Sequence, residues 1–481
     1  MKKTVIATLI AGIFIAPKIG LASEQGSPNI ELDLLPLVQV KGEQYVSSTI
    51  EKEMRKYNLP GLSVAVVKNG QVVWAEGFGL ADKQTNRKVT TETLFQAGSI
   101  SKPVAALAVL KLVHEGKIKL DADVNQYLKG WQVPSNEFTK SAKVTVRQLL
   151  THSAGLTQHG FPGYQRGGKV PSDIGVLNGQ GNTGKVIVDK QPGEGFRYSG
   201  GGYTVLDLLV ENVTGQSFSD YTSEQILKPL GMTNSTFAQP LPKHLWSKAS
   251  AAFDVNGKQV VGDWHVYPEQ AAAGLWTTPS DLALYVKAIQ SARVGKAVGP
   301  ITPKLVKDML VFHDNDWGLG PILKNYQQGL AFEHGGKNKG FTNVFKAYAD
   351  KGDAFIIMTN GDAASPVMRE LQLAISEHFG WDFSSAKKVE KYTFSSAQLK
   401  QMVGKYIYDK DSQYRFDLTF DEQYILAYDP SRDRTNRLIA TSEKALIDVR
   451  DGSTVDIERN NKGEIQALIW GGQYRFVKNS L

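Results

Sequence analysis

The sequence predicts a mixed α and β fold (α/β or α+β) with a small all-β unit at its C-terminal end. Three observations predict it. Helical and strand-like periodicities interleave as far as about residue 384; glycines crowd residues 160–195 with few periodic apolar positions; and from Tyr406 onward short alternating runs follow one another without a helix. The chain of 481 residues is 41% hydrophobic and 21% charged, enough apolar material for a large core, which excludes intrinsic disorder and collagen.

The N-terminal residues read as an address rather than as part of the fold. Lys2-Lys3 precede the apolar run Thr4 to Ala16, and the small residues Gly20 and Ala22 follow, the order that the secretion machinery reads. A membrane-spanning helix needs about 20 apolar residues, and Pro17-Lys18 cuts this run short. Residues 1–22 are therefore expected to be a signal peptide cleaved near Ala22, giving a periplasmic or secreted protein with no permanent membrane anchor. The formal charge of +7 falls to +4 when Lys2, Lys3 and Lys18 leave with that segment. With no run of like charges, nucleic acid is not an expected partner. Zero cysteines exclude disulfides, thiol nucleophiles and Cys-ligated zinc, and the 8 histidines fall in no HExxH or HxH spacing, so no metal and no cofactor are expected.

Elements follow in order along the chain. Val46, Ile50, Met54 and Tyr57 at helical spacing predict a helix over 45–58, closed by Pro60-Gly61. Leu62 to Val67 and Gln71 to Gly77 read as strands joined at Asn69-Gly70, a dipeptide suited to the positive φ angles of a tight hairpin. An apolar stripe from Leu94 to Gly116 predicts a helix stopped by Gly116. The glycine-rich stretch 157–195 reads as a long loop region of the kind that borders a site. Helices are expected at 202–213, 220–227 and 365–379, and a buried strand at 354–359. A linker is placed at about Phe383 to Phe394. Beyond it, eight runs (404–408, 414–420, 423–428, 437–440, 445–449, 454–458, 465–470 and 473–477) are separated by turn pairs such as Asp451-Gly452 and Gly471-Gly472, predicting a small antiparallel barrel or sandwich.

Three short segments carry chemistry. Ser99 and Lys102 stand three apart on one helical face, so an amine lies within reach of a hydroxyl; burial or neighbouring cations would lower its pKa and let it take the serine proton. Ser-x-x-Lys alone is a common pattern, but Gly98 precedes this one and the apolar residues 103–113 follow, a setting with little reason to carry a lysine. Tyr198, between Pro192-Gly193-Glu194-Gly195 and the helix start that follows at Gly201-Gly202-Tyr203, is placed to hold its hydroxyl in a cleft. His334-Gly335-Gly336 stands beside the strand-like run Phe341 to Ala347, where glycines let a substrate approach the backbone closely.

Ser99-x-x-Lys102, then Tyr198-Ser-Gly, then His334-Gly-Gly, in that order and spacing, resembles the family of class C β-lactamases, D-alanyl-D-alanine peptidases, D-aminopeptidases and related esterases. Similar supporting segments run from Gln148 to Leu156, Lys228 to Thr236, Ala273 to Asp281 and Asn315 to Gly320, and the likeness extends from about Val46 to Gly380. The resemblance implies a β-lactamase/transpeptidase-like fold, an antiparallel sheet flanked by helices plus a helical region, over 38–384, with a lipocalin-like β-barrel over 395–481. It implies Ser99 as nucleophile and Lys102 with Tyr198 as the proton-transfer pair, with the order of proton transfer between them left open. His334, Gly335 and Gly336 would line the cleft, and the N–H groups of Ser99 and Lys337 would form the oxyanion hole.

Two departures from the family pattern bear on the substrate. Gly200 stands where much of the family has an asparagine that holds the substrate's acyl-amide, and Gly335 removes the hydroxyl that, with a preceding lysine, binds a substrate carboxylate. His334 is then the remaining, pH-dependent cation, unless Arg166 or Arg197 reaches in. The resemblance thus implies an exported serine hydrolase that cleaves amide bonds of D-residue peptides or peptidoglycan-like cell-wall fragments. The alternatives are a carboxylesterase on the same scaffold, a weak β-lactamase, or a penicillin-binding protein that does not turn over. Other motifs carry less. Gly179-x4-Gly184-Lys185 imitates a phosphate loop but has Val186 in place of Ser or Thr; Asp121 and Asp123 read as turn formers; His152 and His159 read as structural; and no Gly-x-Ser-x-Gly elbow is present.

Overall fold

The structure, a computed structural model, describes residues 30–313, 316–431 and 433–479. The predicted signal peptide over 1–22 lies outside the described residues, as does Asn315.

A seven-stranded antiparallel sheet runs in the order Arg87–Lys88, Gln71–Asp82, Gly61–Lys68, Ala354–Thr359, Phe341–Tyr348, Gly329–Asn338 and Ile322–Tyr326. Its central strands alternate between two apolar layers, as the two-residue period of a strand requires. Ala65, Val67, Ile356 and Met358 face the larger core with the helices Ser101–His114, Gly200–Thr214 and Pro279–Arg293. Leu62, Val64, Val66, Phe355 and Ile357 face the helices Ile50–Lys56 and Ser365–Phe379. Helices therefore cover both faces, which is why Gly61–Lys68 and Ala354–Thr359 read as almost unbroken apolar runs. The predicted hairpin is present, with Asn69 at φ 51° and Gly70 at φ 75°.

Three expectations are corrected. The first helix begins at Ile50, capped by the Thr49 hydroxyl, and Val46 lies outside it and is 90% exposed. The apolar stripe from Leu94 is not one helix: Phe95–Gln96 pairs with Trp276–Thr277 as a short strand, Gly98–Ile100 forms a 3-10 turn, and the α-helix starts at Ser101. Strand and helix are here equally apolar, so periodicity did not separate them. Third, the stretch expected as a linker contains a strand, Lys387–Val389, paired in parallel with Val38–Val40. Val38 and Val40 pack with Ile439 and Ile447 of the C-terminal unit, so these backbone hydrogen bonds and this small cluster hold the junction.

At the C-terminal end eight antiparallel strands, from Gly404–Tyr408 to Tyr474–Lys478, form a closed barrel in sequence order. Closure removes the exposed edges of a free sheet. The turn glycines Gly471 and Gly472 both take positive φ, at 60° and 69°, which side chains disfavour. Leu418, Leu438, Leu446 and Leu468 fill one end of its interior, with Met402 of the helix Ser396–Met402 packed against them.

Candidate active site

Ser99 lies in the 3-10 turn, half-buried, and Lys102 in the first turn of the helix that follows. Lys102 is 2% exposed; its Nζ donates to the Ala272 carbonyl at 2.8 Å and stands 3.2 Å from Ser99 Oγ. Among the described residues it forms no salt bridge. Burial pushes the ammonium down to about 7, so at neutral pH a large share of Lys102 is an uncharged amine able to accept a proton. Ser101 is buried and turned to another task, its Oγ accepting from Leu275 N at 3.0 Å.

Tyr198 precedes the helix Gly200–Thr214, whose N-cap is Ser199: its Oγ accepts from Gly202 N at 2.9 Å and donates to Thr157 O at 2.8 Å. The run of glycines lets the glycine-rich loop close over this end, because a Cβ on Gly201 would lie 2.7 Å from Thr157 O. The Lys102 ammonium sits 4.8 Å from the centroid of the Tyr198 ring, and the Ser99 side chain acts on the phenol to lower its pKa. Burial raises the Tyr198 pKa far above its ordinary value, so the phenol keeps its proton.

The edge strand Gly329–Asn338 brings up the third element. It pairs with Ile322–Tyr326 only as far as Glu333, so His334 to Asn338 pair with Phe341–Tyr348 alone and present their other edge to the serine turn. Contact there is backbone on backbone: a Cβ on Gly336 would lie 1.9 Å from Ala97 O, and one on Gly98, at φ 57°, would lie 2.5 Å from Lys337 N. Both glycines are thus required for the Lys337 N–H to approach the serine turn. Gly335 is different, since its nearest neighbour to an added Cβ is 3.8 Å away. Two buried amides brace this approach: Asn338 Nδ2 donates to Gln96 Oε1 (2.9 Å) and Ala273 O (3.0 Å), and Asn343 Nδ2 donates to Gln96 O at 2.8 Å.

Ser99, Lys102, Tyr198, His334, Gly335, Gly336 and Lys337 therefore come together, and Gly200 borders them. The expectation that His334 serves as a cation is corrected. It is 3% exposed, and burial together with Lys102 pushes its imidazole down to about 3, so it is neutral. The two candidate arginines are held elsewhere: Arg166 pairs with Asp263 and lies over Trp246 and Trp264 at 4.4 and 4.2 Å, while Arg197 pairs with Asp189. The space beside Gly200 holds an aromatic edge, since a Cβ there would lie 2.9 Å from Phe161 Cε2.

Sequence reasoning missed the ring of aromatic groups around Tyr198. Trp317 is edge-on to it at 5.7 Å, His159 packs at 4.7 Å, and His152, which the sequence suggested was structural, stacks on it at 4.2 Å. The missed carbonyl of Ala272 belongs to the turn Gln270–Gly274, itself tied down by Ala271 N donating to Asp207 Oδ2 at 2.9 Å. Asp207 and Glu269 are fully buried beside it; burial raises Asp207 well above its usual range and Glu269 to about 8.

A family model described as Beta-lactamase matches residues 46–378. Protein flp of Staphylococcus aureus (strain N315) is 30% identical over 245 residues, 50% of this chain and 45% of that protein. Esterase EstB of Burkholderia gladioli is 30% identical over 209 residues, 41% of this chain and 52% of that one. The chain thus spans about half the length of these curated relatives. Among solved structures, the octameric penicillin-binding protein homologue from Pyrococcus abyssi superposes with a TM-score of 0.62 at 24% identity, covering 89% of this chain and 98% of that one. A class C beta-lactamase gives 0.54 at 22% identity, over 67% and 93%. These likenesses show a shared fold.

Proposed function

The chain belongs to the Beta-lactamase family, and we propose that it is a serine hydrolase that forms an acyl-enzyme on Ser99. The observation that carries this reading is the buried Lys102 amine, 3.2 Å from Ser99 Oγ and with its pKa lowered to about 7. Lys102 takes the Ser99 proton as Oγ attacks the acyl carbon, and the N–H groups of Ser99 and Lys337 hold the developing oxyanion. Tyr198, kept protonated by burial, passes its proton to the leaving amine or alcohol and recovers one through Lys102. Water then attacks the acyl-enzyme by the reverse path.

The substrates proposed are amides of D-residue peptides or peptidoglycan-like fragments that carry no free carboxylate beside the scissile bond. Supporting this restriction, His334 is neutral, Gly335 has no hydroxyl, and Arg166 and Arg197 are held by aspartates. A second reading, ester hydrolysis, is favoured by Phe161 filling the space beside Gly200, which leaves the substrate's amide N–H or carbonyl without a side-chain partner there. The likeness to Esterase EstB points the same way. The motif in residues 1–22 supports export, and N-terminal sequencing of the mature protein tests it.

Turnover of a D-alanine p-nitroanilide and of p-nitrophenyl acetate separates the readings. Ser99-dependent hydrolysis of both supports the amidase. Hydrolysis of the ester alone supports the esterase. Stable labelling by a β-lactam without turnover of either contradicts both and makes the protein a binder.

A further inference from the structure

The C-terminal barrel is filled at one end and hollow at the other. Along the strand Arg434–Ser442, Leu438 and Ala440 belong to its apolar core, whereas Arg434 and Asn436 line a cavity of about 480 Å³. That volume lies within the range of roughly 300 to 1,000 Å³ typical of small-molecule sites.

The two sides of the cavity differ in chemistry. Five of the six aromatic rings that line it make one wall: Phe416 stands 5.7 Å from Trp470 and 5.0 Å from Phe476, and Tyr408 stands 5.4 Å from Phe476 and 5.9 Å from Tyr474. Opposite them, Asp448 is fully buried; its Oδ1 accepts from Arg450 N at 2.8 Å, but its Oδ2 has no hydrogen-bond partner among the described residues. Asn436 Oδ1, also buried, has none either. Two buried acceptors left unpaired cost folding free energy that a donor from a ligand would recover. Burial pushes the Asp448 carboxyl up to about 6. Arg450 Nε also lacks a partner among the described residues; Asn436 and Arg450 are both only half-buried as residues, whereas Asp448 is fully buried, so its carboxylate is the most desolvated unmet group. Three arginines (Arg415, Arg434, Arg450) and three aspartates (Asp429, Asp448, Asp451) line the cavity, so its formal charge is balanced and does not repel a cation.

We propose that this end of the barrel binds a small aromatic amine, its ring against Phe416, Trp470 and Phe476 and its ammonium on Asp448 Oδ2 and Asn436 Oδ1. An ammonium supplies several donors at one atom and is attracted to aromatic faces. The site is separate from Ser99 and does not depend on the hydrolase reading.

Calorimetric titration of the full-length mature protein, its Ser99 first blocked by a phosphonate, tests the proposal with tryptamine and with indole-3-propionate, which offers the same ring on an anion. The expected result is one bound tryptamine per chain, weakened at least tenfold by Asp448→Asn and also weakened by Asn436→Ala, with indole-3-propionate bound more weakly. Tryptamine should also bind more weakly to Trp470→Phe. If Asp448→Asn does not fold, Asn436→Ala and Trp470→Phe carry the test. Absent tryptamine binding, preference for the anion, or binding unchanged by these substitutions would overturn the proposal.

Discussion

The imidazole of His152 lies against the phenol ring of Tyr198, with centroids 4.2 Å apart, while its Nδ1 accepts from Ser199 N at 3.0 Å. Its carbonyl also accepts from Arg197 N at 2.7 Å, so one residue holds the backbone on both sides of the tyrosine as well as its ring. The ring is buried and neutral, since desolvation and Lys102 pull its pKa well below the usual value. With Nδ1 accepting, the proton sits on Nε2. His152 adopts φ 58°, a conformation that asparagine tolerates better than most residues.

Replacing His152 by asparagine keeps that backbone conformation and removes the stacked ring. We expect kcat to fall by about tenfold to a hundredfold with KM little changed, because Tyr198 loses its orientation while the rest of the cleft remains. Steady-state kinetics beside a circular dichroism spectrum check this; an unchanged kcat would remove His152 from the positioning of Tyr198.

Lys102 accepts a proton only when neutral. Below its pKa of about 7 the ammonium predominates, so log(kcat/KM) should rise with slope one as pH approaches 7 and level off above it. Lys102→Arg, which stays charged, should abolish acylation across the range. A profile flat from pH 5 to 9 would mean that Lys102 does not control the rate.

Gly335 and Gly336 are neighbours in sequence with opposite tolerances. Gly336→Ala places a Cβ 1.9 Å from the Ala97 carbonyl and must push the strand from the serine turn, so acylation should drop by about a hundredfold or more. Gly335→Ala, whose nearest contact is 3.8 Å, should fold with stability within about 0.5 kcal/mol of the parent and retain activity. Acylation rates and thermal melts of the two variants decide it; equal effects would contradict the close approach at Gly336.

Glu269 is buried with its carboxyl pushed up to about 8 from the usual 4.5. The folded chain holds that proton more tightly than the unfolded one, so stability present below the unfolded pKa declines as pH rises toward 8, by roughly 1.4 kcal/mol for each unit of the difference. Glu269→Gln should therefore raise the melting temperature at pH 8 more than at pH 5. An equal change at both would place Glu269 in a hydrated setting.

How much of this was legible in the sequence depends on distance along the chain. Ser99 and Lys102 are one helical turn apart, and the barrel strands alternate over six or so residues, so local spacing revealed both. Tyr198 was legible through its place between the turn at Pro192 to Gly195 and a helix start, and through its order and spacing with the other two segments. By contrast, Ala272 lies 170 residues from the lysine it holds, and Asn338 lies 242 from Gln96. His152 and Trp317 join Tyr198 only through packing, which no periodicity reports. Lys387–Val389 was hidden for a different reason: its pairing with Val38–Val40 uses backbone groups that every residue carries.

Ser99 is the nucleophile on which the proposed mechanism depends, and intact-protein mass spectrometry of the parent and Ser99→Ala after incubation with a phosphonate probe tests that role most directly. We predict one adduct per chain in the parent, none in the variant, and loss of p-nitrophenyl acetate turnover in step. Equal labelling of both proteins would contradict the assignment and, with it, the mechanism built on Lys102 and Tyr198.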